Sequence, residues 1–372
     1  MTWTSAEAAP RSGAAVPAEV VAEGLLQLPC QTWSFGDSIG FEALWRYGRE
    51  RDERVAAYVH GYLRAWAARA KPFVRLDCTA PGSTLGECGR ATGDPLLLRA
   101  AIDLAEYLAR RPTIGGVFAT WERSPLQAPY GGELMAAEEL ELLDSSPPGV
   151  FVDCLHFDPP FFTALGRALG DERWTELGVE QAIGYLRLLQ TPTGLFDHFM
   201  LDGVDGTFGP GWGRGQGWAV LGLLDVIDAI PSMDGRAEAL VHAVSSLLGR
   251  MAELQRPNGH WAAVVDRPDS TEETSTAAFM AVAVQRASAA VLPRLPATSA
   301  AVVRRMGARA AGAVVRDLRP DGVLPMVSAA VNASTTPSHY VHVPTGFVVP
   351  WGQGPALLTL LEADPTEGLH QS

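Results

Sequence analysis

Residues 174–196 read WTELGVEQAIGYLRLLQTPTGLF, and this stretch decides the fold. Apolar residues recur at helical spacing from Trp174 to Leu189. The turn Pro192-Thr-Gly-Leu-Phe196 then stops the helix with a glycine and a nearby proline. The same pattern recurs three more times. Leu96–Leu108 leads into Pro112-Thr-Ile-Gly-Gly-Val-Phe118, Leu240–Leu254 into Pro257-Asn-Gly-His-Trp261, and Val302–Leu318 into Pro320-Asp-Gly-Val-Leu324. The glycines at 116, 194, 259 and 322 are spaced 78, 65 and 63 residues apart. That period suits two helices plus a loop better than a short solenoid repeat.

The helix starts repeat as well. Thr92-Gly-Asp-Pro95, Gly170-Asp-Glu-Arg173 and Ser232-Met-Asp-Gly235 each set an aspartate near the first turn, where it can cap free amides. Arg51–Ala68 reads as an earlier helix of the same kind. No stretch alternates long enough for a large sheet, although the glycine-rich returns have room for short strands. The expectation is a single all-α domain over 19–365, a toroid of helical hairpins. Residues 1–18 form a disordered lead-in, and 124–149 form an inserted loop around a short helical run. Parallel hairpins in a ring bring their loops to one end, where a central pocket is the natural site.

With 372 residues and 47% hydrophobic content, the chain has ample material for a core. No apolar run approaches the roughly 18 residues of a membrane span, and the first residues do not read as a secretory signal. Cysteines 30, 78, 88 and 154 show neither zinc spacing nor a disulfide framework, which points to reduced thiols in the cytoplasm. The net charge of −13, from 29 basic and 42 acidic residues, argues against nucleic acid and anionic membranes as partners. No His, Asp and Glu cluster has ligand spacing, so no metal or other cofactor is expected. A serine nucleophile elbow is also missing.

Two segments carry the chemistry. Asp153 lies in Val150-Phe-Val-Asp-Cys-Leu-His-Phe157, ahead of Pro159-Pro160 and a helix expected to begin near Phe161. Desolvation among these apolar neighbours favours a protonated carboxyl and suits a general acid, whereas a helix-cap aspartate is the plainer alternative. Asp158, just before Pro159, is the better cap candidate. Asp77 occupies the matching loop one hairpin earlier, as a partner carboxylate or a turn residue. The second segment is Trp212-Gly-Arg-Gly-Gln-Gly-Trp218. Its glycines permit close approach, Arg214 offers a planar fork for a carboxylate, and two indoles offer flat faces for a sugar. The other reading of Trp218 is a core residue at a helix start. His198, on a repeated turn, is as readily structural as catalytic.

Asp153-Cys-Leu-His-Phe157, Thr193-Gly-Leu-Phe-Asp-His198 and Trp212-Gly-Arg-Gly-Gln-Gly-Trp218 resemble the unsaturated glycuronyl hydrolases, glycoside hydrolase families 88 and 105. The order continues through Asn258-Gly-His-Trp261, Glu273-Thr-Ser-Thr-Ala-Ala-Phe279, Asp321-Gly-Val-Leu324 and Gly352-Gln-Gly-Pro-Ala-Leu-Leu358. Asp77 and Thr92-Gly-Asp94 extend it upstream, so the likeness covers roughly residues 30 to 363. The resemblance implies a six-hairpin α/α barrel. It also implies hydrolysis of an oligosaccharide whose non-reducing end is a 4,5-unsaturated uronic acid, by hydration of the C4–C5 vinyl ether. Asp153 takes the place of the acid and base and Asp77 that of its assistant. The implied pocket is His198, Trp212, Arg214, Gln216 and Trp218, with Trp33 and His156, and Arg214 stands where it would hold the uronate carboxylate. The chain departs from the family at His156 and Phe157, where an aromatic and a methionine are usual, and at Pro350-Trp351, where an Asp often precedes the glycines. These departures leave two alternatives: the same barrel turned to proton transfer on a specialised metabolite, or a silent saccharide-binding barrel.

Overall fold

A computed structural model describes residues 16–29, 35–69, 71, 73, 82–230 and 235–363. Its helices are α1 (Ala18–Leu26), α2 (Phe35–Glu50), α3 (Glu53–Ala67), α4 (Thr84–Thr92), α5 (Pro95–Leu108), α6 (Ala137–Asp144) and α7 (Cys154–Leu169). The remainder are α8 (Glu172–Leu189), α9 (Gly213–Ala229), α10 (Gly235–Leu254), α11 (Ser275–Ala290), α12 (Ala297–Asp317), α13 (Ser338–Val341) and α14 (Pro350–Ala363). Six helices pack into a closed ring in the order α2, α4, α7, α9, α11, α14 and back to α2. Outside it, α3, α5, α8, α10 and α12 each pack on the preceding inner helix, and α1 packs on α14 to complete the sixth pair. This is a six-hairpin α/α barrel.

The division into inner and outer helices follows from the sequence. The α9 segment Trp218-Ala-Val-Leu-Gly-Leu-Leu224 is apolar on every side and is buried on every side. By contrast α8 buries one stripe, including Trp174, Val179, Ala182, Tyr185 and Leu189, and exposes the other face. The four repeated turn glycines, Gly116, Gly194, Gly259 and Gly322, all have φ between +78° and +95°, a region in which a side chain is strained. Asp94 and Asp171 accept hydrogen bonds from Leu96 N and Arg173 N and so cap α5 and α8. The corresponding Asp234 lies outside the described residues, as does the N-terminal lead-in up to residue 15.

The short returns do contain strands. The pairs are β1 (Thr113–Ile114) with β2 (Val117–Phe118), β3 (Gly149–Phe151) with β4 (Phe199–Leu201), and β5 (Trp261–Ala262) with β6 (Glu272–Glu273), all antiparallel.

One helix boundary differs from the sequence expectation. Helix α7 begins at Cys154, not near Phe161, and runs through both prolines. Pro159 and Pro160 deny the carbonyls of Leu155 and His156 their usual donors, yet packing on α8 and α9 carries the helix past them. Asp158 is therefore a buried residue inside α7 and not its cap. Asp153 takes the N-cap position, but its side chain makes no capping bond.

Among the described residues no helix is long and apolar enough to cross a membrane. Cys88 and Cys154 are buried thiols, and Cys30 and Cys78 lie outside the described residues. Deeper in the ring, Arg286 on α11 pairs with Glu42 on α2 and, at 2.9 Å, with Asp225 on α9. These side chains line a cavity of about 330 Å³ together with Trp45, Arg46 and Glu87. Asp225 lies twelve residues past the start of α9, or about 18 Å along it. The network therefore spans the shaft of the barrel below its loop end.

Candidate active site at the loop end of the barrel

Strand register brings Asp153 and His198 together. β3 pairs with β4 through Phe151 and Phe199, and the ladder continues with Val152 N donating to His198 O at 2.8 Å. Two residues 45 apart in sequence therefore meet, with His198 Nε2 3.2 Å from Asp153 Oδ2. Val150, Val152, Cys154 and Leu155 around the aspartate are fully buried. Its own side chain keeps 12% exposure, enough to be reached from the loop end.

On its other edge, His198 Nδ1 lies 2.7 Å from the hydroxyl of Tyr340. Burial pushes that hydroxyl well above the ordinary phenol range, although a hydrogen bond from the Ser334 backbone opposes the shift. Trp212 packs its ring 4.4 Å from the imidazole, between centroids, and Tyr340 meets the imidazole edge-on. The sequence reading missed Tyr340. The available signal was two adjacent rings, His339 and Tyr340, in a short segment between Pro337 and Pro344.

The Trp212–Trp218 segment plays a more internal part than its composition suggests. Arg214 is only 1% exposed. Its Nη1 donates to Ser328 Oγ and lies 3.6 Å from Glu273 Oε1, while its Nη2 donates to Ala329 O at 3.0 Å. The rings of Trp212 and Trp351 flank the guanidinium at 5.1 and 5.6 Å. Burial pulls Arg214 down from the usual guanidinium range, opposed by the charges of Glu273 and Asp153. Both Nη atoms thus brace the 328–329 segment, while the buried Nε has no hydrogen-bond partner.

Gln216 is fully buried too. It accepts from Phe196 N and donates to Phe196 O and Trp212 O, tying the start of α9 to the 194–196 turn. Trp218 has no exposed surface and packs among His156, Phe157 and Phe279, so it is core. His156 is buried as well, and burial lowers it to about 3 against the raising charge of Asp153. It lies 3.5 Å from Glu42. Of the pocket residues that the resemblance implied, the described structure gathers His198 and Trp212 beside Asp153. It places Arg214, Gln216, Trp218 and His156 behind them. Asp77 and Trp33 lie outside the described residues.

The 124–149 segment is anchored to the segment that carries Tyr340. Leu126 bridges Ala333, and Gln127 N donates to Ala333 O at 2.9 Å. Thr335 and Thr336 donate to Glu139 of α6. Tyr130 N donates to His339 Nδ1 at 3.2 Å while its ring stacks on the same imidazole. Among the described residues no group of three or more His, Cys, Asp or Glu side chains is placed to hold a metal ion.

Comparisons with known proteins agree with this architecture. The chain is 25% identical over 299 residues to the unsaturated rhamnogalacturonyl hydrolase YesR of Bacillus subtilis, covering 80% of this chain and 79% of that one. A structure described as a possible GH105-family protein from Salmonella enterica serovar Paratyphi A superposes with a TM-score of 0.73 at 20% identity, covering 93% and 92% of the two chains. The unsaturated glucuronyl hydrolase of Bacillus sp. GL1, whose role is the degradation of glycosaminoglycan, gives 0.63 at 15% identity, covering 94% and 95%. At such identities the two structures share the fold. The sequence profile of Glycosyl Hydrolase Family 88 matches residues 20–366, nearly the whole barrel, and the chain belongs to that family.

Proposed function

We propose that this protein removes a 4,5-unsaturated uronic acid from the non-reducing end of a lyase-generated oligosaccharide, with Asp153 as general acid and base. The observation that carries the reading is a carboxyl at the head of an inner helix, sunk among apolar side chains and reachable from the loop end. Such a group can hold a proton for delivery to carbon and then serve as a base. In the proposed reaction Asp153 gives its proton to C4 of the sugar. Water adds at C5 and returns a proton to the Asp153 carboxylate. The resulting hemiketal opens to a ketone at C5 and frees the hemiacetal at C1, which expels the remaining saccharide. The glycosidic bond thus breaks without displacement at the anomeric carbon, so the carboxylate-spacing rule for inverting and retaining enzymes has no bearing.

In this reading Trp212 and His198 form the wall of the uronate pocket. Asp77 assists Asp153, and Trp33 completes the pocket. Residues 19–365 act as one catalytic unit working in the cytoplasm on imported saccharides. The insertion at 124–149 narrows its mouth. Because both Nη atoms of Arg214 are engaged by Ser328 and Ala329 and its side chain is buried, the uronate carboxylate is met by other donors of the loop end.

The test follows the ultraviolet absorbance of the conjugated alkene during incubation with unsaturated disaccharides from pectin-, glycosaminoglycan- and ulvan-type lyase digests. The expected result is a falling signal with at least one class. Asp153→Asn lowers turnover by about 1000-fold while binding is kept. Full activity in that variant removes Asp153 from the mechanism. A flat signal across the panel with folded protein favours proton-transfer chemistry on another small molecule.

A further inference from the structure

We infer that Tyr340 is a positioning residue that fixes the tautomer of His198, so that His198 presents Nε2–H to Asp153. The inference rests on the assignment of Asp153 as the acid and adds to it a second layer that neither the family motifs nor the sequence reading marked.

Among the described residues His198 Nδ1, at 2.7 Å, is the hydrogen-bond partner of the Tyr340 hydroxyl, which is sealed from water in a side chain 1% exposed. A buried hydroxyl proton left without an acceptor is costly, so that proton points to Nδ1. A neutral imidazole that accepts at Nδ1 carries its proton on Nε2. That nitrogen lies 3.2 Å from Asp153 Oδ2. The opposite tautomer would offer a lone pair to Oδ2, and the acid proton of Asp153 would then settle between aspartate and histidine, away from the substrate. With Nε2–H in place, Oδ2 accepts, the transferable proton belongs on Oδ1, and the carboxylate left after transfer keeps a donor.

The surroundings are shaped to hold this line. Gly209 has φ +68°, and a Cβ there would stand 2.5 Å from the Tyr340 hydroxyl and 2.7 Å from His198 Cβ. Only glycine lets the loop pass so close. Tyr340 itself is 1% exposed, and His339 beside it is held by Tyr130 N and donates from Nε2 to Asn332 O. Residues 124–149 thus clamp the segment that sets the tautomer.

The experiment is ¹⁵N NMR of histidine-labelled full-length protein near neutral pH, with the His198 signals identified by their loss in His198→Gln. The expected result is an Nε2–H tautomer in the wild type and a mixture of tautomers in Tyr340→Phe, which keeps the ring and its edge-on packing. In kinetics, Tyr340→Phe is expected to lower kcat about 10- to 100-fold with KM changed less than about threefold. An Nδ1–H tautomer in the wild type overturns the inference without reference to any variant. So does a Tyr340→Phe protein whose kcat matches the wild type. If instead Asp153→Asn keeps full turnover, the acid assignment fails, whereas the NMR result still reports on Tyr340 and His198 directly.

Discussion

Replacing Glu273 by glutamine tests whether Arg214 is a brace or a ligand clamp. Glu273 is 2% exposed and is the first counter-charge of the buried guanidinium. Its Oε1 accepts from Ser275 Oγ and Ser328 N, and its Oε2 from Thr276 N and Oγ1. The substitution removes the charge and turns one oxygen into an amide donor that faces two other donors. Breaking a buried ion pair costs about 3–5 kcal/mol. An unfolding entropy of about 2.1 cal/mol/K per residue over the roughly 350 residues of the barrel gives about 0.7 kcal/mol/K, so Tm should fall by about 4–7 °C. The matched control is Glu272→Gln, one residue away, where the side chain is one-third exposed and pairs with Asn258 and Arg256. It should cost less than about 1 kcal/mol. The assay is thermal unfolding of both variants by circular dichroism, with steady-state kinetics alongside. If Glu273→Gln melts within about 1 °C of the wild type, or no lower than Glu272→Gln, the guanidinium is compensated elsewhere. Arg214 then returns as a candidate for the substrate carboxylate.

Two further outcomes follow from buried groups at the same end. His156 is depressed to about 3 by burial from an ordinary 6.5, so the folded state binds fewer protons than the unfolded chain between those values. Its contribution is full above about pH 6.5 and is lost toward pH 3, at up to about 1.4 kcal/mol per pH unit; urea midpoints that stay level for the wild type across that window, or fall as steeply in His156→Phe, would rule it out. Gly209→Ala puts a methyl group against Tyr340 and His198 at a positive φ; it should cost about 1–3 kcal/mol and lower kcat at least as far as Tyr340→Phe, and an unchanged kcat means that this close approach has no bearing on His198.

Much of the barrel was legible because its information is local. The glycines at 116, 194, 259 and 322 are required by backbone dihedrals that no distant contact alters, and each does adopt a positive φ. Capping by Asp94 and Asp171 is equally local. The start of α7 was misplaced because Pro159-Pro160 is a strong local stop signal, and only the packing of α8 and α9 against the helix overrides it.

The candidate site divides along the same line. Sequence by itself determined that Asp153 sits among apolar residues, that a hairpin repeat runs the length of the chain, and that Trp212–Trp218 opens a helix. Composition could not say which polar groups of that segment would face a ligand. Arg214, Gln216 and Trp218 look like a sugar-gripping set in one dimension. In three, Glu273 and Ser328, 59 and 114 residues further along the chain, claim the guanidinium. Likewise the β3–β4 register sets His198 beside Asp153, and Tyr340 arrives from 142 residues away to orient it. A charge or an imidazole takes its role from its partners, and tertiary structure alone chooses partners so distant in sequence. The helices and turns carry their own instructions within a few residues.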